Sequence, residues 1–334
     1  MARPTLEVAD IFRDHGPGWR EANRGHVSLG QLKVMGAIER CRTAALGGHV
    51  ARCENTAFRA QESAMPEHKR LFYDPFAVSF LGPRLRTVSP LFHIPFVRLL
   101  LAHLMDACWP GARTSAIART CLIDEWASSA AAAGMQQVLI LGAGFDCREW
   151  RLPALRDLPV FEIDHPATSA EKRRLIGELG APTGRVSFAP IDFERESLPE
   201  ALAKVGFRAD KLTLVLWEGV TNYLTAEAVD TTLRWIATLA ESSQLIFTYV
   251  DADLVNGSGR FKDAARARRA VTNVGEPWTF GFRPEELPAY LNERGLKLTM
   301  DMSANEYRAL AMGARGARAK GYEFYHVALV QVGV

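Results

Sequence analysis

From residue 113 onward the chain alternates between two hydrophobic periods. Over Ser115–Ala133 apolar residues recur at the three-to-four spacing that lines one helix face, and Gly134 supplies a stop. QQVLILGAGFD at 136–146 is instead a continuous run of Val, Leu and Ile closing on glycines, as expected of a strand covered on both faces. Four more runs read the same way: PVFEID at 159–164, RVSFAPIDF at 185–193, LTLVLWEG at 212–219 and QLIFTYVD at 244–251. Helical patterns at 168–179, 197–205 and 225–240 lie between them. Strands joined by crossover helices close right-handed, so the pattern predicts an α/β fold with a doubly wound, mostly parallel sheet. LKLTMDMS at 296–303 and YEFYHVALVQV at 322–332 add an antiparallel edge pair, and helices within 57–112 form a cap in front.

Composition narrows the class. A chain of 334 residues, 48% apolar and 23% charged, is long enough for a sizeable core. The net charge of +2 demands no polyanionic partner. Residues 1–56 hold eight basic and six acidic side chains, which leaves 57–334 electrically balanced. Five cysteines, at 41, 53, 108, 121 and 147, are odd in number and never spaced CxxC, which argues for a reducing, cytoplasmic setting and against a disulfide framework. No leader is expected at the N-terminus. The most apolar stretch, 88–108, is interrupted by Pro90, Pro95, Arg98 and Asp106, so no membrane span is expected.

In a doubly wound sheet ligands bind beyond the carboxyl ends of the strands, where strand order reverses. Gly142 and Gly144 sit at such an end, and without Cβ atoms they let the backbone turn sharply and approach a ligand. A dinucleotide fingerprint wants a third glycine at 147, where this chain has Cys147, which counts against a nicotinamide or flavin cofactor. Three carboxylates follow strand ends. Asp164 lies 22 residues beyond Gly142, where an acidic side chain accepts ribose hydroxyls; Asp192 follows the third strand and Glu218 the fourth. Three acids around a glycine loop without a lysine suit a cofactor that carries positive charge, such as a sulfonium nucleoside.

The strings RTCLIDEW, QQVLILGAGFDCREWRL, VFEIDHPATSAEKRRL, APIDF and LWEGVTNYLTAEAV together resemble the leucine carboxyl methyltransferase superfamily, and more closely its bacterial branch of S-adenosylmethionine-dependent methyltransferases. The resemblance runs from about residue 57, through KRLFYDPFAVSFLG, to the C-terminus, and implies the class I Rossmann-like methyltransferase fold. It implies that Arg119 holds the carboxylate of S-adenosyl-L-methionine and that the Gly142 and Gly144 loop passes under its methionine part. It further implies that Asp164 binds the ribose, that Asp192 and Phe193 face the adenine, and that Glu218 meets the ammonium group or the sugar. Tyr223, five residues beyond Glu218, is the candidate for orienting the methyl acceptor. The family's basic contact near the DPF segment has no assigned residue: Tyr73 precedes Asp74, with Lys69 and Arg70 upstream.

Plainer readings stand beside these. Arg119 is placed to pair with Asp124 on its own helix, Arg148 and Arg151 read as structural, and His165 before Pro166 reads as a helix-start device. The basic run at 261–271 reads as a solvated helix face. Trp278, Phe280 and Phe282 form either a lid over an aromatic substrate or a hydrophobic domain edge. Residues 1–56 resemble the N-terminal zinc-binding domain of rolling-circle insertion-sequence transposases, but Cys53 is followed by ENTAFRAQES where partner cysteines should lie. Tetrahedral zinc needs about four N or S ligands. No metal site is therefore expected, and the segment reads as a dispensable remnant in front of a methyltransferase domain at 57–334. The expected reaction is O-methylation of a small molecule, a carboxylate favoured over a hydroxyl, with no nucleic-acid or membrane partner. The rivals are a DNA-binding fusion and a nicotinamide-dependent oxidoreductase.

Overall fold

Five parallel strands, β1 (Gln137–Leu141), β2 (Val160–Asp164), β3 (Val186–Pro190), β4 (Thr213–Trp217) and β5 (Gln244–Val250), are joined by β6 (Leu296–Ser303) and β7 (Tyr325–Val332). Their order across the sheet is β3-β2-β1-β4-β5-β7-β6, so the winding reverses between β1 and β4. The computed structural model describes residues 49–334 apart from 83–85, 88, 109, 192–196, 258–259, 262–263, 274–276, 320–321 and 334. Most of the transposase-like stretch, 1–48, lies outside the described residues, as do Asp192 and Phe193.

Period two explains why the central strands are uniformly apolar. Leu139, Leu141, Val215, Trp217, Leu245 and Phe247 face one layer, where Val229, Leu233 and Ile236 of helix α6 pack. Val138, Ile140, Leu214, Leu216 and Ile246 face the other, against Leu122, Ile123 and Trp126 of helix α3. The helices are α1 (His49–Ser63), α2 (Pro95–Cys108), α3 (Ala112–Ala132), α4 (Pro166–Glu178), α5 (Leu198–Lys204), α6 (Ala226–Ile236), α7 (Ala264–Asn273), α8 (Leu287–Asn292) and α9 (Ala304–Arg318). Helix α3 stops at the predicted place, with Gly134 at φ +100° just past its end. Helix α6 ends four residues before the predicted 240, where the backbone tightens to three-residue turns, Thr238 N–H donating to the Trp235 carbonyl (2.9 Å) and Leu239 N–H to that of Ile236 (3.0 Å). The late antiparallel pair is present, with β7 inserted between β5 and β6, so β6 is the outer strand on that side and β3 the edge on the other.

The cap differs from its expected boundary. Helix α1 runs unbroken through residues 56 and 57, where the remnant and the enzyme were divided. Its Phe58 packs on Ala112, Ala116 and Ile117 of α3, and its Ala57 and Ala60 on Ala77, Leu81 and Phe92. Helix α2 is tied to the end of α1 by the Gln61 side chain on the Arg98 carbonyl (3.2 Å) and Arg98 on the Ala64 carbonyl (3.1 Å). No helix among the described residues is long and apolar enough to cross a membrane.

Candidate active site

The first turn after β1 needs glycine on two counts. Gly142 has φ +64°, and a Cβ there would lie 2.4 Å from the Val220 Cγ2; Gly144 has φ +50°. Asp164, at the end of β2, is buried beside this loop. Its Oδ2 accepts the Gly144 backbone N–H, and its Oδ1 accepts the N–H of His165 (2.7 Å). Parallel pairing of β1 with β2 thus brings the glycine loop and Asp164 together across twenty residues of sequence. His165 caps α4, accepting the Ala167 N–H on its Nδ1 (3.3 Å) with Pro166 in the first turn, as its place in the sequence suggests.

Glu218, the residue after β4, lies between two guanidinium groups. Arg119 Nε donates to its Oε1 and Arg148 NH2 to its Oε2, each at 2.8 Å. Arg119 does not pair with Asp124: that carboxylate is taken by Arg148 Nε (2.8 Å) and Arg151 NH1 (2.6 Å). Arg148 also holds Asp146. Arg151 contacts Asp124 within this network, whereas Arg148 extends from it to Glu218. Three arginines face Asp124, Asp146 and Glu218, so the cluster is electrically balanced. Burial pushes the Glu218 carboxyl up, but Arg148 and Arg119 outweigh it and hold the group below the usual carboxylate range. Burial likewise acts against ionised Asp146, and Arg148 overrides it to hold that carboxyl far below its ordinary value.

The cap reaches the glycine loop through a residue that the sequence reading did not single out. Arg59 of α1 donates to the Phe145 carbonyl (2.8 Å) and forms an ion pair with Asp74 (3.0 Å). Asp74 Oδ1 in turn accepts the N–H groups of Phe76 (2.9 Å) and Ala77 (3.0 Å) and the Cys147 thiol (3.1 Å). Arg59, fifteen residues upstream, thus pairs with Asp74 of the DPF segment. Its signal was an arginine amid Ala57, Phe58 and Ala60 on a helix face that is otherwise buried. Cys147 occupies the third-glycine position as a buried thiol, and burial pushes its pKa well up.

Beyond Glu218 the chain folds over the end of β4 in a tight turn at Thr221–Tyr223. The Thr221 hydroxyl donates to the Thr248 carbonyl (2.7 Å), and Tyr223 is half-buried. A strap at 278–282 crosses this turn: the Thr279 N–H donates to the Asn222 carbonyl and the Thr279 hydroxyl to the Leu224 carbonyl, each at 2.8 Å. Gly281 lets the strap touch β5, since a Cβ there would stand 2.6 Å from the Val250 carbonyl oxygen. The three aromatics divide: Phe282 is a core residue against Phe247 and Tyr249, with Phe280 packed edge-on against it (4.8 Å), while Trp278 packs on Phe324. Tyr307 and Tyr325 stand near Arg119, Tyr307 through Ser115 (2.6 Å) and Tyr325 through its ring (4.8 Å). Burial pushes the Tyr307 phenol up to about 12 and raises that of Tyr325 as well.

A sequence model of the leucine carboxyl methyltransferase family matches residues 52–237, and one of a transposase zinc-binding domain matches residues 11–65. The chain is 33% identical over 197 residues to a protein of Mycobacterium ulcerans provisionally named an S-adenosyl-L-methionine-dependent methyltransferase; the match covers 50% of this chain and 62% of the relative. A protein of Mycolicibacterium paratuberculosis with the same provisional name is 32% identical over 217 residues, covering 59% of this chain and 68% of that one. The chain thus spans about three fifths of the length of the M. ulcerans relative. Among solved structures, a DUF574 family protein from Streptomyces avermitilis superposes with a TM-score of 0.54 at 14% identity, over 82% of this chain and 96% of that one. A provisionally named methyltransferase from Thermobifida fusca gives 0.52 at 17% identity, over 71% and 89%. These two share the fold. The stretch matched by the first sequence model covers more than half of the chain and contains Arg59, Arg119, the glycine loop, Asp164 and Glu218, and the chain belongs to the leucine carboxyl methyltransferase family.

Proposed function

We propose that the protein transfers the methyl group of S-adenosyl-L-methionine to an oxygen of a small-molecule acceptor, with a carboxylate as the favoured nucleophile. The supporting observation is the gathering of Gly142, Gly144, Asp164, Arg119 and Glu218 at the point where the sheet reverses its winding. Their chemistry fits the cofactor. The Arg119 guanidinium donates its Nε to Glu218 and lies over the Tyr325 ring, and its terminal N–H groups suit a carboxylate. A balanced cluster of six charges accepts an amino-acid zwitterion without a change in net charge. Asp164, acceptor-only and set against the glycine loop, suits two ribose hydroxyls. Glu218, held ionised, suits the ammonium group. When bound, the cofactor would supply an electrophilic methyl on a sulfonium sulfur.

The favoured acceptor follows from what the neighbouring side chains can do to a proton. The phenols of Tyr307 and Tyr325 are pushed away from neutrality, and His165 is engaged at the start of α4. A phenol or alcohol would want a general base, whereas a carboxylate is already ionised and needs only positioning in a site shielded from water. Tyr223 is assigned to orient that acceptor. A cytoplasmic setting agrees with the free thiols of Cys121 and Cys147. The test is calorimetric titration with S-adenosylmethionine, S-adenosylhomocysteine and NAD, followed by transfer of labelled methyl to a panel of carboxylic acids and phenols. Binding of both sulfur nucleosides and label on acids before phenols is the expected result; tight binding of NAD alone would overturn the reading.

A further inference from the structure

Asn222 is 1% exposed, and neither its amide oxygen nor its amide nitrogen has a hydrogen-bond partner among the described residues. The buried indole Nε1 of Trp278 is in the same condition. A buried donor or acceptor left unmet costs free energy, so a native fold that keeps three of them in hydrogen-bonded neighbouring segments calls for an explanation. The segments are fixed. Thr221 is held on Thr248, the Asn222 carbonyl accepts from Thr279, and Trp278 immediately precedes Thr279. The turn is also joined to the cofactor side, because Val220, two residues before Asn222, lies over Gly142.

We infer that Asn222, together with the Trp278 indole N–H, is a recognition point for the methyl acceptor that reads an uncharged carboxamide on it. The inference rests on the methyl-transfer reading above. A side-chain amide offers two N–H donors and one carbonyl acceptor, and an indole adds one donor. A carboxamide matches this set on both sides, its carbonyl oxygen accepting and its N–H donating. A carboxylate is acceptor-only and would leave the Asn222 oxygen unmet, so the recognised group is distinct from the oxygen that receives the methyl. Trp278 and Phe324, with ring centroids 5.6 Å apart, and Tyr322 beside Phe324 at 5.1 Å, make the surroundings aromatic. An aromatic carboxamide is accordingly the class of group favoured.

Benzamide and benzoate are the paired probes, followed by saturation-transfer NMR on the full chain with S-adenosylhomocysteine, whose affinity is measured separately by calorimetry. Benzamide should give a signal about fivefold stronger than benzoate, and Asn222→Asp and Trp278→Phe should each cut it about threefold or more while cofactor affinity stays unchanged. Asn222→Leu adds a readout that a structural role would not give: removing an unmet amide should leave Tm unchanged or raise it. Absence of a benzamide signal in the wild type, an undiminished signal in Asn222→Asp, or a sharp fall in Tm for Asn222→Leu would overturn the recognition point. Failure of the wild type to bind the nucleoside, with benzamide still sensed through Asn222, would instead overturn the methyl-transfer reading alone.

Discussion

The two sides of the sheet's reversal point are built on opposite plans. On the cofactor side the carboxylates of Asp124, Asp146 and Glu218 are matched by guanidinium groups within the chain: Arg148 alone touches all three, and Asp164 holds Gly144. On the far side of β4 the turn at 221–223 and the strap at 278–282 are joined through backbone, yet the Asn222 side-chain amide and the Trp278 indole N–H find no partner among the described residues. A preassembled electrostatic frame suits a ligand of fixed structure, because the geometry exists before it arrives. Unmet polar groups suit discrimination, because a partner lacking the complementary atoms gains nothing from them.

The largest effect that separates the two plans is expected at Arg148. Arg148→Met should cost about 3–5 kcal/mol of stability, since it strands buried Asp146 without a guanidinium partner and leaves Asp124 and Glu218 with one each. Urea unfolding measures this, and a loss near zero would mean that the network is not the frame of the cofactor side. Asp164→Ala should be milder in stability but direct in function. Cofactor affinity should fall by about 1.5–3 kcal/mol, the range for a hydrogen bond to a charged group, with the fold retained. Calorimetry on the variant decides; unchanged affinity would remove Asp164 from the ribose role.

The difference between the sides also explains what the sequence made legible. The order of strands and helices, the glycine loop and Asp164 follow from hydrophobic period and from one crossover spacing, which are local signals. The insertion of β7 between β5 and β6 was invisible, because both late runs have the same alternation and only tertiary pairing chooses the edge. Arg119 with Glu218 and Arg59 with Asp74 are contacts across 99 and 15 residues, and no periodicity encodes a partner at such distances. The nearest acid on the helix, Asp124, is the partner that local spacing offers Arg119, and a network that only the folded chain assembles gives Asp124 to Arg148 and Arg151 instead. Two family likenesses meet near residue 56, while the backbone of helix α1 continues through that seam.

Acidification should probe Glu218 with a smaller effect. Its carboxyl is held below the ordinary value in the folded chain, so its contribution is full above the unfolded pKa of about 4.3 and is lost as pH falls through the folded value. Glu218→Gln should therefore cost about 1.5 kcal/mol at neutral pH and show a shallower loss of stability between about pH 5 and pH 3. Parallel urea titrations of wild type and variant would show it. Coincident acid limbs would mean that Glu218 is not coupled to Arg119 and Arg148 in solution.

The smallest effect expected distinguishes two truncations at the seam. Removal of residues 1–48 leaves α1 whole, whereas removal of 1–55 begins the chain at Thr56 and takes away the first seven residues of a fifteen-residue helix. What remains from Thr56 to Ser63 still carries Arg59 with its bonds to Asp74 and the Phe145 carbonyl. An eight-residue helix is marginal by itself, however, and its first four N–H groups lose their carbonyl partners. The shorter deletion should leave Tm and cofactor-induced stabilisation unchanged, which would support the remnant reading for 1–48. The longer one should lower Tm by about 2–4 °C, equivalent to about 1 kcal/mol in a domain of this size, and should reduce cofactor-induced stabilisation as Arg59 loosens its hold on the glycine loop. Thermal unfolding with and without S-adenosylmethionine separates the two. Identical behaviour of both truncations would show that α1 contributes nothing before Thr56 and that the seam is a true boundary, whereas loss of cofactor response in the 49–334 protein would place part of the cofactor's cover in the first 48 residues.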